Sequence, residues 1–585
     1  MQLLAFCPSL SSRGLATLLI AATLLCSPAY QYAMQAGASP NQDPATAEIT
    51  HGLQYLQRKD LADAKLRFSA AIKANPHSAD ALTWRGITEN QLQQYEDAAR
   101  DFKAALRIAP DELPAHYNLA LSLIRLGEPD QAIEQLRYVV KVQPGVMEPE
   151  YNLAILLEQK HAPAEAVEHL KAANESRPND LGVIQHLLVD LLASGGTDEA
   201  SQLLEQVKAM DSVEAQQQVA TALLEAGDYA QAADLLEGLH ARPESSRESD
   251  LLLARAYIGA QEDFKAIDLL KPATAIDTTG EAAYLLGMAY SDAGATEEAR
   301  TSFVQAIKQN PKNGRALYHL GLIESGAPGQ LSSAQTHLRE AMQQEPGNAA
   351  YGIALGRVML QHDNAREALD LLQRVHAEGP IAGERDLLLG IAQIIVSGPV
   401  QAVKTLEKAV AENPSLALSQ DILGFCYSVQ GETAKAAEAY GGASDLDPKS
   451  RIFAHGAAVA FDRANDAAHT MTYATRAAAL PGAVGQDYYF LGRAHAKANQ
   501  NQDAIRELNQ AIKMDPELEE AYYLLARTYT KTGETTQANE WVAKLKDLKQ
   551  RHDQADATAK ANKKQITSST LLQGAPVESP DTVEH

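Results

Sequence analysis

Small and large apolar residues recur along the chain in a unit of about 34 residues that ends in a proline. These prolines are Pro76, Pro110, Pro144, Pro178, Pro311, Pro346, Pro380, Pro414, Pro448, Pro481 and Pro516. Counting back from each proline gives a small residue, an Ala, a large apolar residue and another small or apolar residue at fixed positions. Before Pro110 these positions hold Gly86, Ala98, Phe102 and Ala105. A fixed period of this length is typical of a repeat architecture.

Each unit is predicted to contain two helices in close contact. Gly or Ala in the first half and Ala in the second half lack the bulk that would hold two helix axes apart, and we expect the large residue to fill the gap to the next pair. Gly127 and Gly533 are two of the glycines between the halves, where positive φ can end a helix. The closing proline cannot continue a helix interior. We therefore predict an all-α chain of about fifteen helix-turn-helix repeats.

The spacing of the units divides the repeats into three blocks. The first, at 45–178, and the last, at 312–550, are regular, and the last ends in a capping helix. In the block between them, at 179–311, Asp211 and Asp277 replace the proline, which is kept only at Pro243. The repeat pattern is lost at 551–585, where Lys, Gln, Ser, Thr and Pro are abundant, and this composition predicts a disordered tail.

The residues quoted above resemble the tetratricopeptide repeat family over roughly 45–550. The resemblance implies a right-handed superhelical solenoid in which the first helices of successive units line a concave face. Residues one unit apart then form ladders along a groove. The resemblance also implies that the chain binds other proteins or peptides.

The N-terminus is predicted to be a signal peptide. Arg13 precedes the apolar run 14–26, which is followed by the small residues that signal peptidase requires. We assign 1–29 to this signal and 30–44 to a linker, which predicts an exported bacterial protein in the periplasm or outside the cell. A transmembrane anchor is the alternative, but the run is too short to cross a bilayer, so we expect no membrane span after signal removal.

Lipid anchoring is disfavoured as well. Cys26 is the only cysteine at the end of the apolar run, but Leu24 and Leu25 stand where a lipidation signal would need small residues. Removal of the signal would take away Cys7 and Cys26, which leaves Cys426 as a single thiol without a disulfide partner. Its apolar surroundings indicate a buried small side chain.

Composition and charge narrow the classes of partner and activity. The formal net charge is −24, and the sequence has no basic block that could neutralise a run of phosphates, so we expect no nucleic-acid partner. The sequence also lacks a helical zinc motif, a phosphate-binding loop, a nucleophile elbow and a cysteine pair for metal. We therefore predict no enzyme activity, no cofactor and no metal site.

Two candidate binding ladders emerge when the chain is read at the repeat interval. The first consists of Asn118 and Asn152, each within a Tyr-Asn-Leu-Ala sequence, whose amides could hold a peptide backbone through both donors and acceptors. The alternative is that Asn is simply common at this position of the repeat.

The second ladder is a repeated triplet near the C-terminus: Tyr489, Arg493 and Lys497, followed one unit later by Tyr523, Arg527 and Lys531. Four-residue steps place each triplet on one helix face. Cations there would attract a carboxylate or an acidic segment. The alternative is that Tyr and Lys are consensus residues and that only the Arg pair is unusual.

These observations predict a non-catalytic scaffold that binds extended segments of other proteins in the cell envelope. The alternative is a subunit of a polysaccharide secretion apparatus, which would need a separate outer-membrane barrel as a partner, since no alternating strand segments follow residue 550.

Overall fold

The computed structural model describes residues 43–242 and 246–556. The predicted signal peptide, residues 30–42 of the predicted linker, Pro243 and residues 557–585 lie outside the described residues. Contacts divide the chain into two units, 1–273 and 274–585, and each is treated by itself.

The described part of the first unit is helical and contains fourteen helices, the last of which runs into the second unit by sequence. They are α1 (Pro44–Gln57), α2 (Leu61–Ala74), α3 (Ala79–Gln91), α4 (Tyr95–Ile108), α5 (Leu113–Leu126), α6 (Pro129–Val142), α7 (Met147–Gln159), α8 (Pro163–Ser176), α9 (Leu181–Ser194), α10 (Thr197–Lys208), α11 (Val213–Ala226), α12 (Tyr229–His240), α13 (Arg247–Gly259) and α14 (Asp263–Ile276).

The described part of the second unit adds sixteen helices. They are α15 (Glu281–Asp292), α16 (Thr296–Gln309), α17 (Gly314–Gly326), α18 (Leu331–Gln344), α19 (Ala349–Gln361), α20 (Ala365–Leu372), α21 (Gly379–Ser397), α22 (Pro399–Glu412), α23 (Ala417–Gln430), α24 (Thr433–Leu446), α25 (Arg451–Arg463), α26 (Ala467–Ala479), α27 (Gly485–Lys497), α28 (Asn501–Met514), α29 (Glu519–Thr532) and α30 (Thr535–Asp556).

These thirty helices form fifteen consecutive pairs, which confirms the predicted fold class and number of repeats. In most pairs the odd-numbered helix packs on the even-numbered helix that follows, and the even-numbered helix packs on the next pair. The handedness of the complete array stays a prediction, because it concerns both units together.

The predicted close approach of paired helices occurs at a glycine on the first helix. A Cβ atom on Gly86 would lie 2.8 Å from the ring of Phe102, and one on Gly287 would lie 2.6 Å from the ring of Phe303. Both rings are fully buried. The large residue of the unit therefore occupies the space that the glycine of its own pair leaves free, which the sequence analysis did not predict.

The large residue also reaches the next pair, as predicted. The ring centroid of Phe303 lies 5.5 Å from that of His319 on α17, and the two rings are stacked. The Phe303 side chain on α16 thus contacts the first helix of its own pair and the first helix of the following pair. Stacking of the repeats depends on these contacts.

The predicted helix ends are confirmed at the glycines between paired helices. Gly127 has φ of 74° and Gly533 has φ of 84°, and each caps the C-terminus of the first helix of its pair. Only a residue without a Cβ adopts this left-handed conformation at little cost.

Two helices extend beyond the predicted repeat region of 45–550. Helix α1 starts at Pro44, inside the predicted linker, and α30 continues past residue 550 to Asp556. Residues 551–556 contain no Gly or Pro, so the helix continues there although the repeat pattern has ended. Among the helices of residues 43–242 and 246–556, none has both the length and the hydropathy of a membrane span.

The role of the glycine contact is tested by the same substitution at two glycines. We expect Gly287→Ala to destabilise its helix pair by about 1–3 kcal/mol, because the added methyl group overlaps the buried Phe303 ring. The control is Gly238→Ala on α12, where no atom lies within 4 Å of the new Cβ. There we expect a gain of about 0.5–1 kcal/mol from helix propensity.

Hydrogen exchange of peptides from α15, α16 and α12 measures both effects locally, which suits a repeat array whose units need not unfold together. Equal stabilisation by both substitutions would contradict the packing account.

Candidate functional site

The six residues of the predicted basic ladder line one depression in the second unit. Helix α27 contributes Tyr489, Arg493 and Lys497, and α29 contributes Tyr523, Arg527 and Lys531. The depression has a volume of about 700 Å³, and α30 closes one side of it with Leu545 and Lys549. The sequence-predicted residues of this ladder are therefore brought together.

The cations of α27 are already paired inside the protein. Arg493 Nε lies 3.1 Å and Lys497 Nζ lies 2.9 Å from the same oxygen, Oδ1 of Asp462 on α25. Asp462 is only 5% exposed. Arg493 also donates a 3.1 Å hydrogen bond to the hydroxyl of Tyr489. The first triplet is thus held in place and partly neutralised.

The cations of α29 have a different environment. Lys531 Nζ donates a 2.6 Å hydrogen bond to Asn499 Oδ1. Arg527 is exposed and forms no hydrogen bond or ion pair within the part of the chain that the structure describes. The Tyr523 side chain is 59% exposed, whereas that of Tyr489 is 9% exposed.

One substitution between repeats explains this difference. Asp462 lies 31 residues before Arg493, and the residue 31 positions before Arg527 is Ala496, which also lines the depression. Ala496 therefore occupies the position at which the preceding unit supplies a buried carboxylate. Because the methyl group of Ala496 cannot accept a hydrogen bond, the guanidinium of Arg527 has no acceptor at this position.

Carboxylates also lie along the depression. Glu519 and Glu520 belong to its lining, and Lys549 Nζ lies 4.0 Å from Glu519 Oε2. A second depression of about 650 Å³ shares Tyr489, Arg493 and Lys497 with the first and extends to α25. The lining of the two depressions therefore carries more Lys and Arg than Asp and Glu, in a chain whose net charge is −24.

Asp487 on α27 carries a carboxylate that is buried inside the protein. It is 1% exposed, and its carboxylate accepts hydrogen bonds from His455 Nδ1 at 2.7 Å and from the Val484 amide at 2.9 Å. Burial acts to raise the pKa of Asp487, but these bonds and the nearby charges of His455 and Arg451 lower the pKa below its ordinary value. This carboxylate fixes the start of α27 against α25.

The predicted Asn ladder does not form two equivalent exposed rungs. Asn118 is buried, and its Nδ2 donates a 2.9 Å hydrogen bond to the carbonyl of Pro114 in its own helix. Asn152 Nδ2 donates a 3.0 Å hydrogen bond to the hydroxyl of Tyr117. Each side-chain amide therefore makes one hydrogen bond within the protein, to a different kind of acceptor, and binding of a peptide by this pair stays a prediction.

A cluster of ionisable groups joins α7 to α9, the first helix of the following pair. His186 Nδ1 lies 2.9 Å from Glu158 Oε2, and Asp190, one turn after His186 on α9, is 6% exposed. Burial raises the pKa of Asp190 to about 7, together with the charge of Glu158 and the hydrogen bond to it, while His186 opposes the shift. The cluster links α7 to α9 through a carboxyl group that titrates near neutral pH.

The predicted burial of Cys426 is confirmed, since its side chain has no exposed surface and burial raises the pKa of its thiol to about 12. In residues 43–242 and 246–556, no three His, Cys, Asp or Glu side chains are placed to hold a metal ion together.

Family comparison agrees with the repeat assignment. Two models described as "Tetratricopeptide repeat" match, one at 49–112 and 284–324 and the other at 90–155 and 327–380. A model described as "TPR repeat" matches 492–533, and another tetratricopeptide repeat model matches 519–552. The chain is a tetratricopeptide repeat protein, a class whose members generally act as non-catalytic scaffolds for protein–protein interaction.

One curated relative is anaphase-promoting complex subunit 3 of Schizosaccharomyces pombe, which is 30% identical over 139 residues. The match covers 24% of this chain and 21% of the relative, so it spans about a fifth of that protein.

Solved structures with some similarity include Naa15/Naa10 bound to HypK-THB, at 16% identity over 85% of this chain and 80% of that chain, with a TM-score of 0.35. The APC/C hetero-tetramer Cut9-Hcn1 is 13% identical over 83% of this chain and 96% of that chain, with a TM-score of 0.32. MamA is 19% identical over 26% of this chain and 89% of that chain, with a TM-score of 0.25. At these TM-scores the superpositions support no conclusion about shape or partners.

The Glu158–Asp190 pair predicts a local pH dependence. Folding raises the pKa of Asp190 from 3.8 to about 7, so its contribution to stability is fully present below pH 3.8 and is lost as the pH rises through 7. We expect the contact between α7 and α9 to weaken by about 1–3 kcal/mol between pH 5 and pH 8. Asp190→Asn, which carries no charge at either pH, should remove most of this change.

Hydrogen exchange of peptides from α7 and α9 at the two pH values, corrected for the intrinsic exchange rate, measures the effect. Glu168→Gln on α8 is the control, because it removes an exposed carboxylate from the same region. An unaltered pH dependence in Asp190→Asn would rule out this assignment.

Proposed function

We propose that the depression formed by α27, α29 and α30 binds an acidic, extended segment of a partner protein. The observation that supports this most directly is the exposed guanidinium of Arg527, which has no carboxylate partner among residues 43–242 and 246–556, where Ala496 replaces the aspartate of the preceding unit. A guanidinium can form two parallel hydrogen bonds to one carboxylate, which a ligand would supply.

Neighbouring groups would extend this contact over several residues of the ligand. Lys531 and Lys549 add positive charge to the same lining, and the exposed ring of Tyr523 offers an apolar surface beside Arg527. Arg493 and Lys497 are held in place by Asp462, so the ligand meets side chains whose positions are already fixed. Such preorganisation lowers the entropic cost of binding.

The net charge of −24 does not exclude an acidic ligand. The Debye length is about 8 Å at physiological ionic strength, so carboxylates farther than this from the depression are largely screened. The local field around Arg527, Lys531 and Lys549 then dominates at contact distance. Binding should weaken as the salt concentration rises.

The ligand-binding proposal is tested by two substitutions that act on the same guanidinium in different ways. Arg527→Glu replaces the guanidinium with a carboxylate, and Ala496→Asp supplies the internal carboxylate that the preceding unit has. We expect each to weaken binding of a labelled Asp/Glu-rich peptide by at least about tenfold, or roughly 1.4 kcal/mol, at low salt. Fluorescence anisotropy gives the affinities.

Matched controls have the same changes in charge outside the depression. Arg506→Glu on α28 alters an exposed arginine that pairs with Asp503 and Glu507, and Ala468→Asp places a carboxylate in the exposed first turn of α26. Both should bind the peptide as the unaltered chain does. Equal binding by Ala496→Asp and Ala468→Asp would refute the role of Arg527.

We also propose that the protein acts in the cell envelope. The apolar run 14–26 with its preceding Arg13 supports export, and the partners would then be other envelope proteins.

If the protein is exported, a charged residue within the apolar run 14–26 should keep the protein inside the cell. Leu19→Arg should prevent cleavage and remove the protein from the fraction released by osmotic shock, because the translocation machinery requires an uninterrupted apolar segment. Immunoblotting of cell fractions measures this. Gln42→Arg, which places the same charge beyond the apolar run, is the control, and release of Leu19→Arg at the normal level would contradict export.

A further inference from the structure

We propose that an acidic stretch of this same chain, Glu578–Glu584, docks in the depression of α27, α29 and α30 and competes there with the partner protein. The inference rests on the proposed function, since it assigns an intramolecular ligand to the same basic surface. Docking of the acidic stretch would control the access of a partner protein to that surface.

Charge complementarity is the first argument. No Lys or Arg follows Lys564, and the residues after it carry three carboxylates, at Glu578, Asp581 and Glu584. These are the side chains that Arg527, Lys531 and Lys549 would attract. Only side-chain carboxylates are counted among these negative charges.

The spacing of the carboxylates is the second argument. They recur every three residues, and the φ angle of Pro580, which lies within the stretch, is fixed at a value compatible with polyproline-type binding. A segment bound in that conformation would place all three carboxylates on one side, about 9 Å apart. Helices α27 and α29 are in contact, and the axes of packed helices are roughly 8–10 Å apart. Successive carboxylates would therefore match successive rungs of the ladder.

The position of the attachment point is the third argument. Helix α30 itself lines the depression at Lys549 and ends at Asp556, which is about 10 Å farther along the helix axis. The 21 residues between Asp556 and Glu578 can span up to about 70 Å. The acidic stretch can therefore reach the depression of its own molecule.

Attachment to the same molecule makes even weak docking effective. A short tether that can span its sites gives an effective concentration in the millimolar range. If the isolated stretch bound with a dissociation constant of about 100 μM, the depression would then be occupied in about nine of ten molecules. A partner peptide would bind about tenfold more weakly than it does to an open depression.

The test compares the full chain with a variant that lacks the three carboxylates, Glu578→Gln with Asp581→Asn and Glu584→Gln. The control removes three exposed carboxylates from second helices, Glu298→Gln with Glu340→Gln and Glu438→Gln, which gives the same change in net charge. The probe is the labelled Asp/Glu-rich peptide, measured by fluorescence anisotropy at low salt. We expect the first variant to bind it about tenfold more tightly than the unaltered chain, and the control to show no change.

The outcomes separate this inference from the proposed function. Equal and measurable binding by the unaltered chain and by the first variant would overturn docking of the acidic stretch and leave the proposed function intact. Absence of binding by both would overturn the two proposals together.

Carbodiimide cross-linking of the unaltered chain identifies the occupant directly. We expect cross-links within one molecule from residues 578–584 to Lys531 or Lys549, and we expect Ala496→Asp to reduce them. Cross-links that join two molecules only would show docking of a second copy and would overturn the intramolecular form. Cross-links to neither lysine would overturn the proposal.

Discussion

The contact between a glycine on one helix and a large apolar side chain on the next determines much of this structure. At Gly287 and Phe303 the ring occupies the space of the missing side chain and also stacks on α17 of the following pair. One side chain therefore fixes both the separation of two paired helices and the position of the next pair. The same kind of contact recurs at other units, among them those of Gly86, Gly356 and Gly492. Residues about 34 positions apart therefore occupy equivalent places on successive first helices.

Because equivalent positions recur in successive units, replacement of one residue can change whether a neighbouring cation is paired within the protein. Asp462 on α25 pairs with two cations of α27, whereas Arg527 is exposed one unit later, where Ala496 takes the place of the aspartate. The backbone arrangement is common to both places, and the chemistry differs through a single side chain. The carboxylate of Asp462 pairs two cations inside the stack, whereas the methyl group of Ala496 offers no acceptor at the equivalent position.

Most of the fold could be predicted from the sequence, because its determinants are local or strictly periodic. Positive φ at Gly127 and Gly533 and the number of helix pairs followed from the repeat. The extension of α30 to Asp556 did not, since helix propensity continues where the repeat has ended. Packing of Phe303 onto the glycine of its own pair also required coordinates, since the pattern gives the residue types and not their contacts.

The candidate site could be predicted only in part. The six residues of the basic ladder recur at the repeat interval, and the structure brings them to one depression. The pairing of Arg493 and Lys497 with Asp462 was not predicted. Asp462 precedes Arg493 by 31 residues and Lys497 by 35 residues, and neither separation equals the repeat interval. Burial of Asn118 was not predicted either. Its hydrogen bond to the Pro114 carbonyl lies within one helix and leaves no sign in the spacing of the repeats.

The most direct measurement is hydrogen exchange of the unaltered chain with and without a saturating acidic peptide. The account predicts added protection in peptides from α27, α29 and α30, with none in α5 or α7, where Asn118 and Asn152 form hydrogen bonds within the protein. Protection confined to the first unit, or spread evenly over both units, would contradict a ligand site built around Arg527.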